Sequence, residues 1–288
     1  MKKLNPSRPM LASHCAVVLL VALQCFGSLC MAGVRGAASS NRSLDFESQP
    51  AVEPENAGNV PYEAGQQAFE RQDYPAAYRL FRTAAERGHV AAQSALGDMC
   101  LAGQGVAASA KEAAHWFRLA AEQEDAAAQV KLGVMYLDGR GVEKSDEVAA
   151  LWIGRAAYHD NLVAELNLGL LLREGRGLPQ DDTEAAWWLR KAAEEGNPEA
   201  NAHIGLMYRE GRGVPQDDAE ATQWIFKGAE LGDARAQYHA GVSLAEGIGV
   251  AQDEDGAQQW LTAAAKQGLV LAQEYLLAKW KIRVRSGD

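Results

Sequence analysis

Residues 200–232 read ANAHIGLMYREGRGVPQDDAEATQWIFKGAELG, and stepping 36 positions in either direction returns the same marks. Gly205 belongs to the column Gly97, Gly133, Gly169, Gly205, Gly241. Trp224 belongs to Trp116, Trp152, Trp188, Trp224, Trp260. The pair Gly211/Gly213 recurs as Gly103/Gly105, Gly139/Gly141, Gly175/Gly177 and Gly247/Gly249. Three columns in register over five copies mark an array of supersecondary units.

Each unit reads as two helices. Ala92, Leu96, Met99 and Cys100 fall at i, i+4, i+7 and i+8, and Ala128, Leu132, Met135 and Tyr136 repeat the stripe. This is one apolar face of a helix. The first glycine of Gly-x-Gly supplies the left-handed residue that ends it, and the second allows a sharp turn. The next helix opens at Ser109, Ser145, Asp181, Asp217 or Asp253, all good N-caps. Glu112, Glu184 and Glu220 stand three residues on, as a capping box requires. Ala113, Trp116, Phe117, Ala120 and Ala121 again lie at helical spacing, the small residues permitting close approach and the Trp filling the space between units. One such pair cannot bury its apolar face alone, so stacked pairs must share a core. The expected fold is an all-α, right-handed α-solenoid of about five 36-residue repeats.

Working outward, residues 61–88 form a related helix pair that lacks Gly-x-Gly and reads as tetratricopeptide-like. Residues 89–288 hold the main array and its C-terminal cap, where Leu277 replaces the glycine column. Lys279 to Arg285 is a basic tail, read as a frayed terminus. Before the array, residues 33–60 are rich in Ser, Asn, Pro, Glu and Gly and read as a flexible linker. Residues 1–32 begin with Lys2, Lys3 and Arg8, and an apolar run follows. They read as an export signal cleaved near Gly33 or Ser39, or as an uncleaved anchor. Three of the four cysteines lie in that signal, leaving Cys100 without an internal disulfide partner. It is expected to be a buried packing residue.

The quoted stretch resembles the Sel-1-like repeat family, a branch of the tetratricopeptide superfamily. The resemblance is carried by Ala200, Ile204-Gly205, Tyr208, Gly211-Arg212-Gly213-Val214, Asp217, Ala221, Trp224, Gly228-Ala229 and Gly232, and it extends over about residues 89–277. It implies a non-catalytic scaffold or adaptor whose first helices line a concave binding face. Exported bacterial members imply a place in the cell envelope. The expected location is therefore the periplasm, with an anchored inner-membrane form or a secreted form as alternatives.

Columns that vary on the outward face of the first helices are the candidate contacts. Lys131, Asn167, His203 and His239 share one column, and Arg173 and Arg209 another, beside an acidic edge of Asp138, Glu174, Glu210 and Glu246. These six polar and basic residues are the candidate partner-binding set. Gly103, Gly105 and the five tryptophans are structural. No cofactor or metal is expected: His203 and His239 lack a third ligand, and Asp181-Asp182 and Asp217-Asp218 are explained as caps. The Gly-x-Gly segments follow a helix and lack Lys-Ser/Thr, so they are not phosphate loops. A formal net charge of −10 over 288 residues opposes nucleic acid and anionic lipid. The partner is expected to be another protein, in the envelope or secreted, with membrane contact only through an uncleaved anchor. The alternatives are a secreted or surface factor contacting host molecules, and a subunit of a cell-wall enzyme.

Overall fold

A computed structural model describes residues 58–284; the segment expected to be an export signal, most of the expected linker and the end of the basic tail lie outside them. Among the described residues there are thirteen α-helices and no strand. They are α1 (Asn59–Glu70), α2 (Tyr74–Glu86), α3 (Val90–Ala102), α4 (Ala110–Glu122), α5 (Ala126–Asp138), α6 (Asp146–Tyr158), α7 (Leu162–Glu174), α8 (Asp182–Glu194), α9 (Pro198–Glu210), α10 (Asp218–Glu230), α11 (Ala234–Glu246), α12 (Glu254–Lys266) and α13 (Val270–Trp280). Odd-numbered helices are the first of each pair and even-numbered helices the second. Each helix packs chiefly on its neighbours in sequence, which is the solenoid.

From α3 to α12 both helices of each pair start on a side-chain cap. The second-helix column works as the sequence implies: Ser109, Ser145, Asp181, Asp217 and Asp253 each accept from a backbone N–H of the first turn. A second cap column starts the first helices, at His89, Asp125, Asn161, Asn197 and Asp233. The capping boxes are only half made. The Glu184 and Glu220 carboxylates turn forward to accept from the indoles of Trp188 at 3.3 Å and Trp224 at 2.9 Å. The N–H of each of those caps is instead taken by a carbonyl of the preceding helix, Leu172 for Asp181 and Tyr208 for Asp217. Glu112 likewise faces the Cys100 thiol, 3.9 Å away.

The two glycine columns do different work. In the first helices Gly97, Gly133, Gly169, Gly205 and Gly241 each receive a bulky side chain of the paired helix: Phe117, Ile153, Leu189, Ile225 and Leu261. Gly65 receives Phe81 in the same way. A Cβ on Gly205 would stand 2.7 Å from Ile225 Cγ1, inside van der Waals contact. In Gly-x-Gly the first glycine adopts the left-handed conformation, as Gly211 does at φ 65°. The second reaches across the repeat boundary. Gly105, Gly141, Gly177, Gly213 and Gly249 lie against the backbone carbonyls of Tyr74, Ala110, Asp146, Asp182 and Asp218, in the first turn of the previous repeat's second helix. In two repeats the residue between the glycines locks the same joint. Arg176 donates to both carboxylate oxygens of Asp146 at 2.9 and 3.2 Å, and Arg212 to those of Asp182 at 2.8 and 3.2 Å. These hydrogen bonds hold both carboxyls below the usual carboxylate range.

The core is thin and built from small residues at the crossings: Ala84-Ala85, Ala120-Ala121, Ala156-Ala157, Ala192-Ala193 and Ala264-Ala265 are all buried. Trp152, Trp188 and Trp224 are buried, whereas Trp116 and Trp260, nearer the ends, are half-buried. Cys100 is fully enclosed, and burial pushes its thiol up. It packs, as expected.

A buried polar column also ties the repeats. Gln93, Gln129, Gln237 and Gln273 donate their amides to the carbonyls of Ala85, Ala121, Ala229 and Ala265 at 3.1–3.3 Å. Glu165 interrupts it: fully buried, it accepts from Lys191 at 2.6 Å and keeps a second oxygen without a partner among the described residues. Burial pulls the Lys191 ammonium down, but Asp160 and Glu165 together carry it up. Burial pushes the Glu165 carboxyl up in spite of Lys191, and the charges of Glu195 and Asp160 add to it. A raised carboxyl costs stability increasingly as pH climbs from about 4 through the raised value. Glu165→Gln restores the amide column and removes that cost. It should stabilise the fold by about 1–2 kcal/mol at pH 7, with the gap to wild type closing near pH 4. Chemical denaturation at the two pH values measures this; a variant less stable at pH 7 contradicts the reading.

Candidate functional site: the face of the first helices

The first helices α3, α5, α7, α9 and α11 present the same face in register, and the six candidate residues fall on it. They are less open than the sequence suggests. Lys131, Asn167, Arg173, Arg209 and His239 are half-buried, and His203 is buried at 6% exposure. The reason is that most of them bridge to a neighbouring repeat's first helix. Lys131 of α5 grips Asp98 of α3 at 2.7 Å. Arg173 of α7 meets His203 Nδ1 of α9 at 3.1 Å. Arg209 of α9 donates to Ser243 Oγ of α11 at 2.7 Å. Asn167 joins nothing across the boundary and donates to Val163 O of its own helix at 2.7 Å.

The structure therefore divides the set. Lys131 and Asn167 are satisfied within the chain. Arg173, His203, Arg209 and His239 come together along α7, α9 and α11. The His239 imidazole is pushed down to about 4 by burial, aided by the charges of Arg209, His203 and Arg235. At neutral pH it is uncharged. Among the described residues no group of three or more His, Cys, Asp and Glu side chains is disposed to hold a metal ion.

A line the sequence reading passed over runs beside this set. Val134 is exposed at 37%, and Leu170, Leu206 and Val242 are half-buried in the same column. They form an apolar strip, with the polar column one turn before it along each helix and the exposed acids Asp138, Glu174, Glu210 and Glu246 one turn after it. The 36-residue step would have shown it, but an apolar residue on a first helix reads as core until its angular position is known. With an apolar strip and polar groups on both sides, this face can bind a segment of mixed character.

The Sel1 repeat model matches the chain six times, at residues 57–89, 90–125, 126–161, 162–197, 198–233 and 234–269. The chain is a Sel1-repeat protein. Each match spans one helix pair, and the first takes in α1 and α2. The N-terminal pair set apart as tetratricopeptide-like is thus a sixth copy of the same repeat. Two solved structures are similar at sequence level. A Sel1 repeat protein from Oxalobacter formigenes is 34% identical with a TM-score of 0.73, over 79% of this chain and 92% of that one. A protective antigen of uropathogenic Escherichia coli strains with an SLR fold is 32% identical with a TM-score of 0.72. That comparison covers 80% of this Sel1-repeat chain but only half of the antigen's length. No curated protein matches the chain. Sel1-repeat proteins are in general protein-interaction scaffolds and typically non-catalytic.

Proposed function

We propose that this Sel1-repeat protein is a non-catalytic adaptor of the bacterial cell envelope that binds a segment of a partner protein along the exposed face of its first helices. The observation that carries this reading is the apolar strip of Val134, Leu170, Leu206 and Val242, held in register with polar groups that the chain leaves only partly paired. Such a strip on a repeat array offers a lengthwise track, with one contact set per repeat. Export rests on the charge and apolar run of residues 1–32, which puts the body in the periplasm, free or held by an uncleaved signal. No helix among the described residues is long and apolar enough to cross a membrane.

In-cell crosslinking followed by pull-down tests the face. Wild type should capture a partner. A variant with Lys131, Asn167, Arg173, His203, Arg209 and His239 all replaced by Ala, and folded by circular dichroism, should lose it. Retention of the same partner by the folded variant contradicts the assignment. A second reading, a secreted or surface factor contacting host molecules, is favoured by the similarity to a protective antigen. Fractionation separates the two: the chain is in the periplasm on the first reading, and on the cell surface or in the medium on the second.

A further inference from the structure

Among the described residues, α13 is the one first helix with no second helix laid on it. In the six pairs before it, a glycine near the middle of the first helix takes in a bulky side chain of the second helix. At Gly241 an added Cβ would stand 2.6 Å from Leu261 Cγ. The 36-residue step places Leu277 at this position on α13. Helices packed at the repeat spacing have no room for a leucine there, so α13 is not built to receive a second helix of the repeat type.

The face left uncovered is mostly apolar. Val270, Leu271, Glu274, Leu277, Ala278 and Lys281 are exposed and fall at i, i+1, i+4, i+7, i+8 and i+11, one continuous stripe of the helix. Val270 and Leu271 are 58% and 55% exposed, and Leu277 is 41% exposed. At the other end of the array α1 turns Asn59, Glu63, Gln66, Gln67 and Glu70 outward beside Val60 and Phe69, the polar finish that a terminal unit of a repeat array needs. α13 lacks that finish. Its stripe carries one acid, Glu274, and one base, Lys281. Neither forms an ion pair among the described residues. Lys281 Nζ donates only to Ala278 O of its own helix, at 3.3 Å. Glu274 stands three residues before Leu277 and Lys281 three residues after Ala278. The stripe is therefore complementary in charge to its own reverse.

We propose that α13 is a self-association surface, on which a second copy of this chain docks its own α13 antiparallel. A two-fold contact places the same surface on both copies, so that residue i of one meets residue j of the other and j meets i. With the axis level with Leu277 and Ala278, each of these two side chains meets its own counterpart. Glu274 of each copy then meets Lys281 of the other, and the two charges left over on the stripe become two intermolecular ion pairs. A parallel pairing would set Glu274 against Glu274 and Lys281 against Lys281, and like charges across a contact repel. An exposed apolar patch with charge at its margin is the usual form of a protein contact. One 11-residue helix per copy makes a small interface, so the dissociation constant is on the order of micromolar. The contact lies apart from the six candidate partner-binding residues and stands or falls independently of them.

The test is copurification of two differently tagged copies of the full chain, coexpressed and solubilised in mild detergent with micelles in excess over chains. Wild-type copies should capture one another. Two Glu274→Lys copies face each other with lysine against lysine, and two Lys281→Glu copies with glutamate against glutamate. Each variant alone should therefore capture its own kind about tenfold less. A Glu274→Lys copy mixed with a Lys281→Glu copy has both ion pairs again and should recover capture. All three positions varied are exposed, so circular dichroism and the melting temperature should not change, and Leu277→Glu should abolish capture without unfolding the chain. A photoreactive phenylalanine analogue at Leu277 should give, in cells, a crosslinked band at twice the mass of the chain. Wild-type copies that do not capture one another overturn the proposal, as does capture undiminished by Leu277→Glu or not recovered in the mixed pair. A crosslink from Leu277 that runs only to residues 1–57 of the same chain, or only to a different protein, overturns it as well.

Discussion

Gly213→Ala should cripple the array although it adds a single methyl group. Gly213 holds φ +68°, and its Cβ would overlap the Asp182 carbonyl of the preceding repeat. Two costs combine. An L-residue in the left-handed region is strained by about 1–2 kcal/mol, and a methyl forced into packed backbone adds about 1–3 kcal/mol. The sum is about 2–5 kcal/mol, and the separation it requires also pulls Arg212 from Asp182. Gly154→Ala is the control. Gly154 lies within helix α6 with nothing within 4 Å of its would-be Cβ. Alanine there should be neutral or stabilise by up to about 1 kcal/mol. Urea melts followed by far-ultraviolet circular dichroism compare the two. A Gly213→Ala midpoint near that of wild type would mean that the repeats do not meet at this joint.

Trp188→Ala should cost about 3–5 kcal/mol, the usual range for truncating a buried large aromatic. Trp188 is 2% exposed at the middle of the array and packs edge-on against Tyr158 of the previous repeat, with ring centroids 5.3 Å apart. Its loss leaves a cavity and strands the Glu184 carboxylate that accepts from its indole. In a chain of nearest-neighbour units a weakened central interface uncouples the two sides. The melt should therefore broaden or split in two, and differential scanning calorimetry resolves that. Trp116→Ala, at a half-buried position near one end, should cost less and leave a single transition. A Trp188→Ala melt indistinguishable from wild type would contradict the stacking.

The fold was legible because its determinants recur. A glycine or tryptophan that returns at a fixed step reports its role without any partner being known. What the step could not show was the partner of each column. Gly205 announces itself, but that Ile225 fills the space above it is a tertiary fact. Glu184 sits three residues after a cap, the spacing of a capping box, yet the indole of Trp188 competes for its carboxylate and wins. The buried Gln93 and Gln129 amides were missed for a similar reason: an amide on a helix reads as surface until an orphan carbonyl is found opposite.

The candidate site was legible as a face and not as a set of free groups. Position in the repeat placed Lys131, Asn167, His203 and His239 in one line. Whether each is spent depends on its neighbour 30 or more residues away, and Asp98 occupies Lys131 whereas no carboxylate meets Arg209. The apolar strip of Leu170 and Leu206 was hidden by the opposite error, since leucine on a helix is taken for core.

The most direct test of the account is site-specific photocrosslinking in cells, with a photoreactive phenylalanine analogue placed at Val134, Leu170 or Leu206 on the first helices, or at Gln223 or Gln259 on the second helices. The account predicts one partner band from the first-helix positions and none from the second. A partner crosslinked only from Gln223 or Gln259 would contradict it and move the binding surface to the other side of the array.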